Sequence, residues 1–222
     1  MKRALLSLSL LLAIPFCALS ELKQDNAPPA ITVYTQFEHP YSAVASEHMR
    51  QELVNVMGPL GLDFTWRDLN ASRGNEVSVE LVVVTFKGTC NMADTFGYGE
   101  TTGALGWTHM SDGAILPFSD LDCDKIRHFI GRETKSMDEA RREMVYGRAM
   151  GRVLAHELYH IFNNTTRHAS WGVAKAFYTP RDLVADRFQF EEKDTKALRS
   201  GKLKTLVRAG HPPVLSYSSA KH

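Results

Sequence analysis

The chain has 222 residues, of which 44% are hydrophobic and 23% charged, proportions that suit one ordinary globular domain with appended segments and exclude a large multidomain machine. Lys and Arg number 26 against 25 Asp and Glu, a formal charge of +1, so no basic excess points to nucleic acid or an anionic lipid surface. Three cysteines leave one without a partner unless one is lost from the mature chain.

The N-terminus predicts that loss. Met1-Lys2-Arg3 is a short basic start, Ala4 to Phe16 is an apolar run, and Ala18-Leu19-Ser20 places small residues where a signal peptidase cuts. The run is shorter than the ~20 residues that span a bilayer. Residues 1–20 therefore read as a cleaved export signal, giving a secreted or periplasmic protein with no stable membrane insertion. Cleavage after Ser20 removes Lys2, Arg3 and Cys17, leaving 24 basic residues against 25 acidic, with Cys90 and Cys123 as the remaining cysteines. In an oxidising compartment these two predict one disulfide. It would close a loop of about 34 residues and contribute ~3 to 4 kcal/mol in the chain-entropy model.

Residues 21–30, with Pro28-Pro29, read as an extended lead-in. Ile31 to Phe37 alternates with β-rich residues, and Ser42 to Val56 shows helical spacing that stops at Gly58-Pro59. Asp63 to Leu69 alternates again. Val77 to Phe86 contains Leu81-Val82-Val83-Val84, the pattern of a central strand buried on both faces. The Gly- and Thr-rich stretch from Tyr98 leads into two short strands nearer the sheet edge, Ala104 to Met110 and Ala114 to Phe118, around the turn Ser111-Asp112-Gly113. Asp120, Asp122 and Asp124 lack the Gly and terminal Glu of an EF-hand and read as solvated charge in a long loop.

A helix is expected from Met137 to about Phe162, opened by a Ser136 to Glu139 capping box and stopped at Asn163-Asn164. On one of its faces lie Gly147, Gly151, Leu154 and Leu158, the glycines permitting close approach to the sheet. Thr179 to Phe190 and Glu191 to Ser200 read as two further helices, and 205–222 as a tail rich in Ser and Lys. The expected fold class is α/β: a mixed sheet, a long helix and a smaller, mostly helical C-terminal part, in one domain over 31–204.

Near the end of the long helix stands His156-Glu157-Leu158-Tyr159-His160. Residues four apart share a helical face, so both imidazoles can converge on one ion while Glu157, about 100° round, reaches a water beside it. This is the HExxH zinc pattern. A catalytic zinc site needs a third protein ligand and an open position. His168, eight residues past His160, is the first candidate, with Asp186 or Asp182 on the following helix as the carboxylate alternative.

The element order and the spacing of His156, Glu157, His160 and His168 resemble the metzincin-like zinc metallopeptidases, over roughly Ile31 to Tyr178. The resemblance implies a zincin-like fold, one Zn²⁺ held by His156, His160 and His168, and Glu157 as general base in peptide hydrolysis. It further implies an extended peptide or protein substrate lying along an edge strand, here Ala104, Leu105 and Gly106. Two positions depart from the family pattern. Its third His follows the second by six residues after a glycine, where this chain has Thr166 and Asn163. Its Met in the turn beneath the metal has no counterpart, since the last methionine is Met150; Gly172-Val173-Ala174 is the equivalent turn. Tyr178 stands outside the assigned catalytic set. The competing expectation is a non-catalytic secreted module on the same fold, which would have no need of Glu157.

Overall fold

The computed structural model describes residues 30–74, 76–78, 80–92 and 103–201. The export signal, the lead-in up to residue 29, residues 98–102 of the Gly- and Thr-rich stretch and the C-terminal tail lie outside the described residues. Among the described residues no helix is long and apolar enough to cross a membrane.

Five strands form one mixed sheet in the order β2-β1-β3-β5-β4. They are β1 (Ala30–Phe37), β2 (Asp63–Asp68), β3 (Glu80–Lys87), β4 (Gly106–Ser111) and β5 (Ala114–Asp122). The first three and β5 run parallel, and β4 lies antiparallel to β5 at the edge. The β4–β5 turn uses Asp112 at φ 50° and Gly113 at φ 78°, the two positive values a tight hairpin demands. The α/β class and the edge position of this hairpin agree with the sequence.

Helix α1 (Ala43–Met57) opens on Ser42, whose hydroxyl accepts the Ala45 amide, and helix α3 (Glu139–Asn163) packs along it. The core between helices and sheet takes Val82, Val84 and Phe86 from β3, all fully buried. On the opposite face Leu81 is 39% exposed and Phe118 43%. Strand β3 is central, but it is not buried on both faces: a run of aliphatic residues does not say how many layers cover it. Gly147 and Gly151 also face a different neighbour from the one expected. A Cβ on Gly147 would lie 2.3 Å from the Ala45 carbonyl oxygen, and one on Gly151 2.6 Å from that of Met49, so the glycines serve close contact with α1 and not with the sheet.

Three local expectations are corrected. Helix α3 is capped by Asp138, whose carboxylate accepts the Arg141 amide at 2.8 Å; Ser136 lies outside it, in a turn closed by the Met137 amide on the Thr134 carbonyl. The long loop after Asp120 is instead helix α2 (Cys123–Thr134), with Asp122 as its cap. Helix α4 (Pro180–Val184) ends well short of Phe190, because Ala185 turns to ψ 157° and Arg148 takes the Val184 and Ala185 carbonyls. Helix α5 (Glu192–Ser200) follows as expected. Cys90 and Cys123 form the disulfide, joining the chain after β3 to the start of α2.

Candidate metal centre

The site begins with the last turns of α3. Asn164 caps the helix in the left-handed conformation, φ 45°, which asparagine tolerates better than most residues. The chain then folds straight back: the Thr165 amide donates to the His160 carbonyl at 3.2 Å, and the Thr165 carbonyl accepts from Nδ1 of His160 at 2.7 Å. His168 follows, its ring centroid 4.8 Å from that of His160 and 5.2 Å from that of His156. The ligand nitrogens of His156, His160 and His168 all lie within 4.8 Å of one another.

Further along, Gly172 at φ 70° makes a turn in which a Cβ would meet the Gln189 carbonyl at 2.5 Å. The turn buries Val173 and Ala174 completely and presents the Val173 carbonyl to Nδ1 of His156 at 2.8 Å. Gly172-Val173-Ala174 thus packs against His156, with Ala174 fully buried in the turn. The Tyr178 hydroxyl donates to the same carbonyl, and its oxygen stands 3.0 Å from the His156 Nδ1.

These partners decide the imidazole chemistry. A carbonyl only accepts, so each Nδ1 carries the proton and each Nε2 presents a lone pair. The Nε2 atoms of His156 and His160 are 3.0 Å apart. Two lone pairs that close repel each other unless a cation lies between them, and neutral imidazoles are the commonest transition-metal ligands. Burial, above all, keeps both rings neutral: it lowers the His156 pKa to about 4 and also lowers that of His160. Two neutral, backbone-oriented nitrogen donors, with His168 gathered beside them as a third, fit a divalent metal of the zinc type.

Glu157 is 4% exposed and burial raises its carboxyl to about 7, against the opposing hydrogen bond from Thr108. It opens with the three histidines onto one cleft of about 780 Å³. Ala104, Leu105 and Gly106 line the cleft on the β4 side, and Thr165, Thr166 and Tyr178 line it opposite.

Compared with models of known protein families and with curated protein sequences, the chain matches none. The site is a buried His pair and a loop His, gathered beside a buried carboxylate in an α/β fold.

The carboxylate alternatives lie elsewhere. Asp182 caps α4 through Thr179 and pairs with Lys175 at 2.6 Å. Asp186 is exposed beyond the end of α4, so it does not lie on the helix expected to carry it. Asp120 faces His109 at 3.2 Å and Asp124 faces Arg127 at 2.6 Å, while Asp122 caps α2. Sequence reasoning missed Thr108, whose hydroxyl contacts Glu157, and the two carbonyls that orient the histidines. For Thr108 a signal existed: it lies two residues from Gly106, on the same face of an alternating strand. For the carbonyls there was none.

Proposed function

We propose that the chain is an exported zinc-dependent endopeptidase of metzincin-like type, with His156, His160 and His168 as the metal ligands and Glu157 as the general base. The observation that carries this is the pairing of three converging imidazoles with a buried carboxylate on one cleft. A purely structural ion is usually enclosed by four protein ligands and has no use for Glu157. The Cys90–Cys123 disulfide supports an oxidising, secreted or periplasmic setting.

Bound zinc lowers the pKa of water toward ~7 and polarises a carbonyl. Glu157 takes the proton from the attacking water and returns it to the leaving amine, so the O–H bond broken is matched by the N–H bond formed. Tyr178 and the Val173 carbonyl hold His156 in its Nδ1-protonated form. Ala104 and Leu105, leading into the antiparallel edge strand β4, and Gly106 at its start offer backbone to an extended peptide. Among the described residues, Glu157 and the histidines apart, the lining is uncharged, with Leu105, Met110, Ile115, Phe129 and Phe177 prominent, which favours an apolar side chain next to the cut bond.

The test is zinc content and cleavage of an unstructured protein and a peptide library by wild type and Glu157→Ala. Wild type should bind one zinc and cut beside apolar residues, while the variant keeps its zinc and loses activity by about 100- to 10,000-fold. Zinc-loaded wild type that cuts no peptide would instead support a non-catalytic binding module.

A further inference from the structure

Thr108 Oγ1 lies 2.8 Å from Oε2 of Glu157, 3.2 Å from the Glu157 carbonyl oxygen and 3.1 Å from Ser119 Oγ. A threonine hydroxyl carries one proton, and the shortest contact, to a group that bears charge when ionised, directs it to Oε2. Ser119, opposite Thr108 in the β4–β5 register and 1% exposed, then donates its own proton to Thr108 Oγ1. Both hydroxyls are satisfied, and the direction of the pair is set by the carboxylate.

The other oxygen meets a different wall. Gly106 lies two residues before Thr108 on the same face of β4. A Cβ there would come 2.9 Å from Val153 Cγ1 and 3.2 Å from Glu157 Oε1. One edge strand therefore supplies the Thr108 hydroxyl for Oε2, a Thr108 backbone hydrogen bond to the same carboxylate, and the bare Gly106 backbone beside Oε1. Beyond Thr108 the pairing with β5 shifts register, a local irregularity of the kind that re-aims strand side chains.

We infer that Thr108 is a positioning residue for Glu157: backed by Ser119, it holds Oε2 and leaves Oε1 as the oxygen that exchanges the proton in the cleft. The inference rests on the peptidase reading for its use, but the bond itself is measurable without cleavage. A general base must present one oxygen first to the water and then to the leaving amine, and a free carboxylate rotor would spend much of its time misaligned.

The experiment uses the full zinc-loaded chain and has two arms. In denaturant unfolding, Thr108→Val should lower the folded-to-unfolded ratio about tenfold with Glu157 present and less than about twofold in a Glu157→Ala background, the signature of a coupled pair. In peptide cleavage, Thr108→Val should lower kcat about tenfold with KM unchanged, and Thr108→Ser, which restores the hydroxyl, should recover most of the loss. Equal stability losses in both backgrounds, or equal kcat losses in the Val and Ser variants, would overturn the inference. A coupled pair in a chain that cleaves no peptide would instead sink the peptidase reading, and with it the catalytic use assigned to Thr108.

Discussion

His156 and His160 are each 8% exposed and ride one turn apart on a helix whose glycines press against α1, whereas His168 stands exposed on a stretch with no regular element between Asn164 and Ala169. The helical pair owes its position to the core, and it should keep that position with or without an ion. The loop histidine is held by a few local bonds, such as the Arg167 amide on Thr165 Oγ1 at 3.1 Å. Segments of that kind open at low free-energy cost. On the proposed metal-site reading the comparison implies a division of labour: packing fixes His156 and His160, while His168 depends on local loop contacts.

The hardest blow to the helical half is Gly151→Val. Its side chain must enter a space where a Cβ already lies 2.6 Å from the Met49 carbonyl, so stability should fall by about 3 kcal/mol or more, seen as a large drop in Tm. An unchanged Tm would break the claim that α1–α3 contact holds the site. For the loop half, His168→Ala should leave metal-free stability within about 0.5 kcal/mol, as exposed substitutions do. Its zinc affinity should nevertheless fall more than about 100-fold, beyond the loss typical of outer hydrogen-bond partners. Calorimetric titration checks this, and full retained affinity would remove His168 from the ligand set.

Tyr178→Phe tests the link between the halves, because the hydroxyl donates to the carbonyl that orients His156. Zinc affinity should drop by about 10- to 100-fold with little change in the metal-free Tm. The smallest effect concerns pH in the metal-stripped protein. The His156 pKa is lowered to about 4 in the fold from about 6.5 when free, so the unfolded chain binds more protons in that window and stability rises with pH from about 4 to 6.5. Glu157, raised to about 7, acts oppositely above about 4.5: the folded chain then binds more protons and stability falls as pH rises. The two slopes offset each other in wild type. Glu157→Gln should therefore expose a steeper rise of Tm between pH 4.5 and 6.5, and a slope no steeper than wild type would count against the assignment.

Strands were legible in the sequence because alternation with β-branched residues is a local signal, as in Ile31 to Phe37, and the hairpin turn announced itself in Asp112-Gly113. Helix α2 was hidden by its composition: charge at Asp122, Asp124, Lys125 and Arg127 resembles a loop until Asp122 is seen to cap it. The Ser136 capping box was outcompeted by Asp138, another good acceptor two residues on. HExxH spacing named His156, Glu157 and His160, since a helix converts sequence distance into direction. The partners of these side chains come from residues 17, 5 and 49 positions away, and the longer of those distances is set by tertiary structure alone.

The disulfide also bears on the fate of the chain under proteolysis. Strands β4 and β5 both lie between Cys90 and Cys123, so the β4-side wall of the cleft belongs to a covalently closed ring. A single cut anywhere in that ring frees no fragment: the nicked protein would migrate as one species until a reductant is added, and only then as two. Damage to the cleft border is thus contained within the molecule and not shed from it.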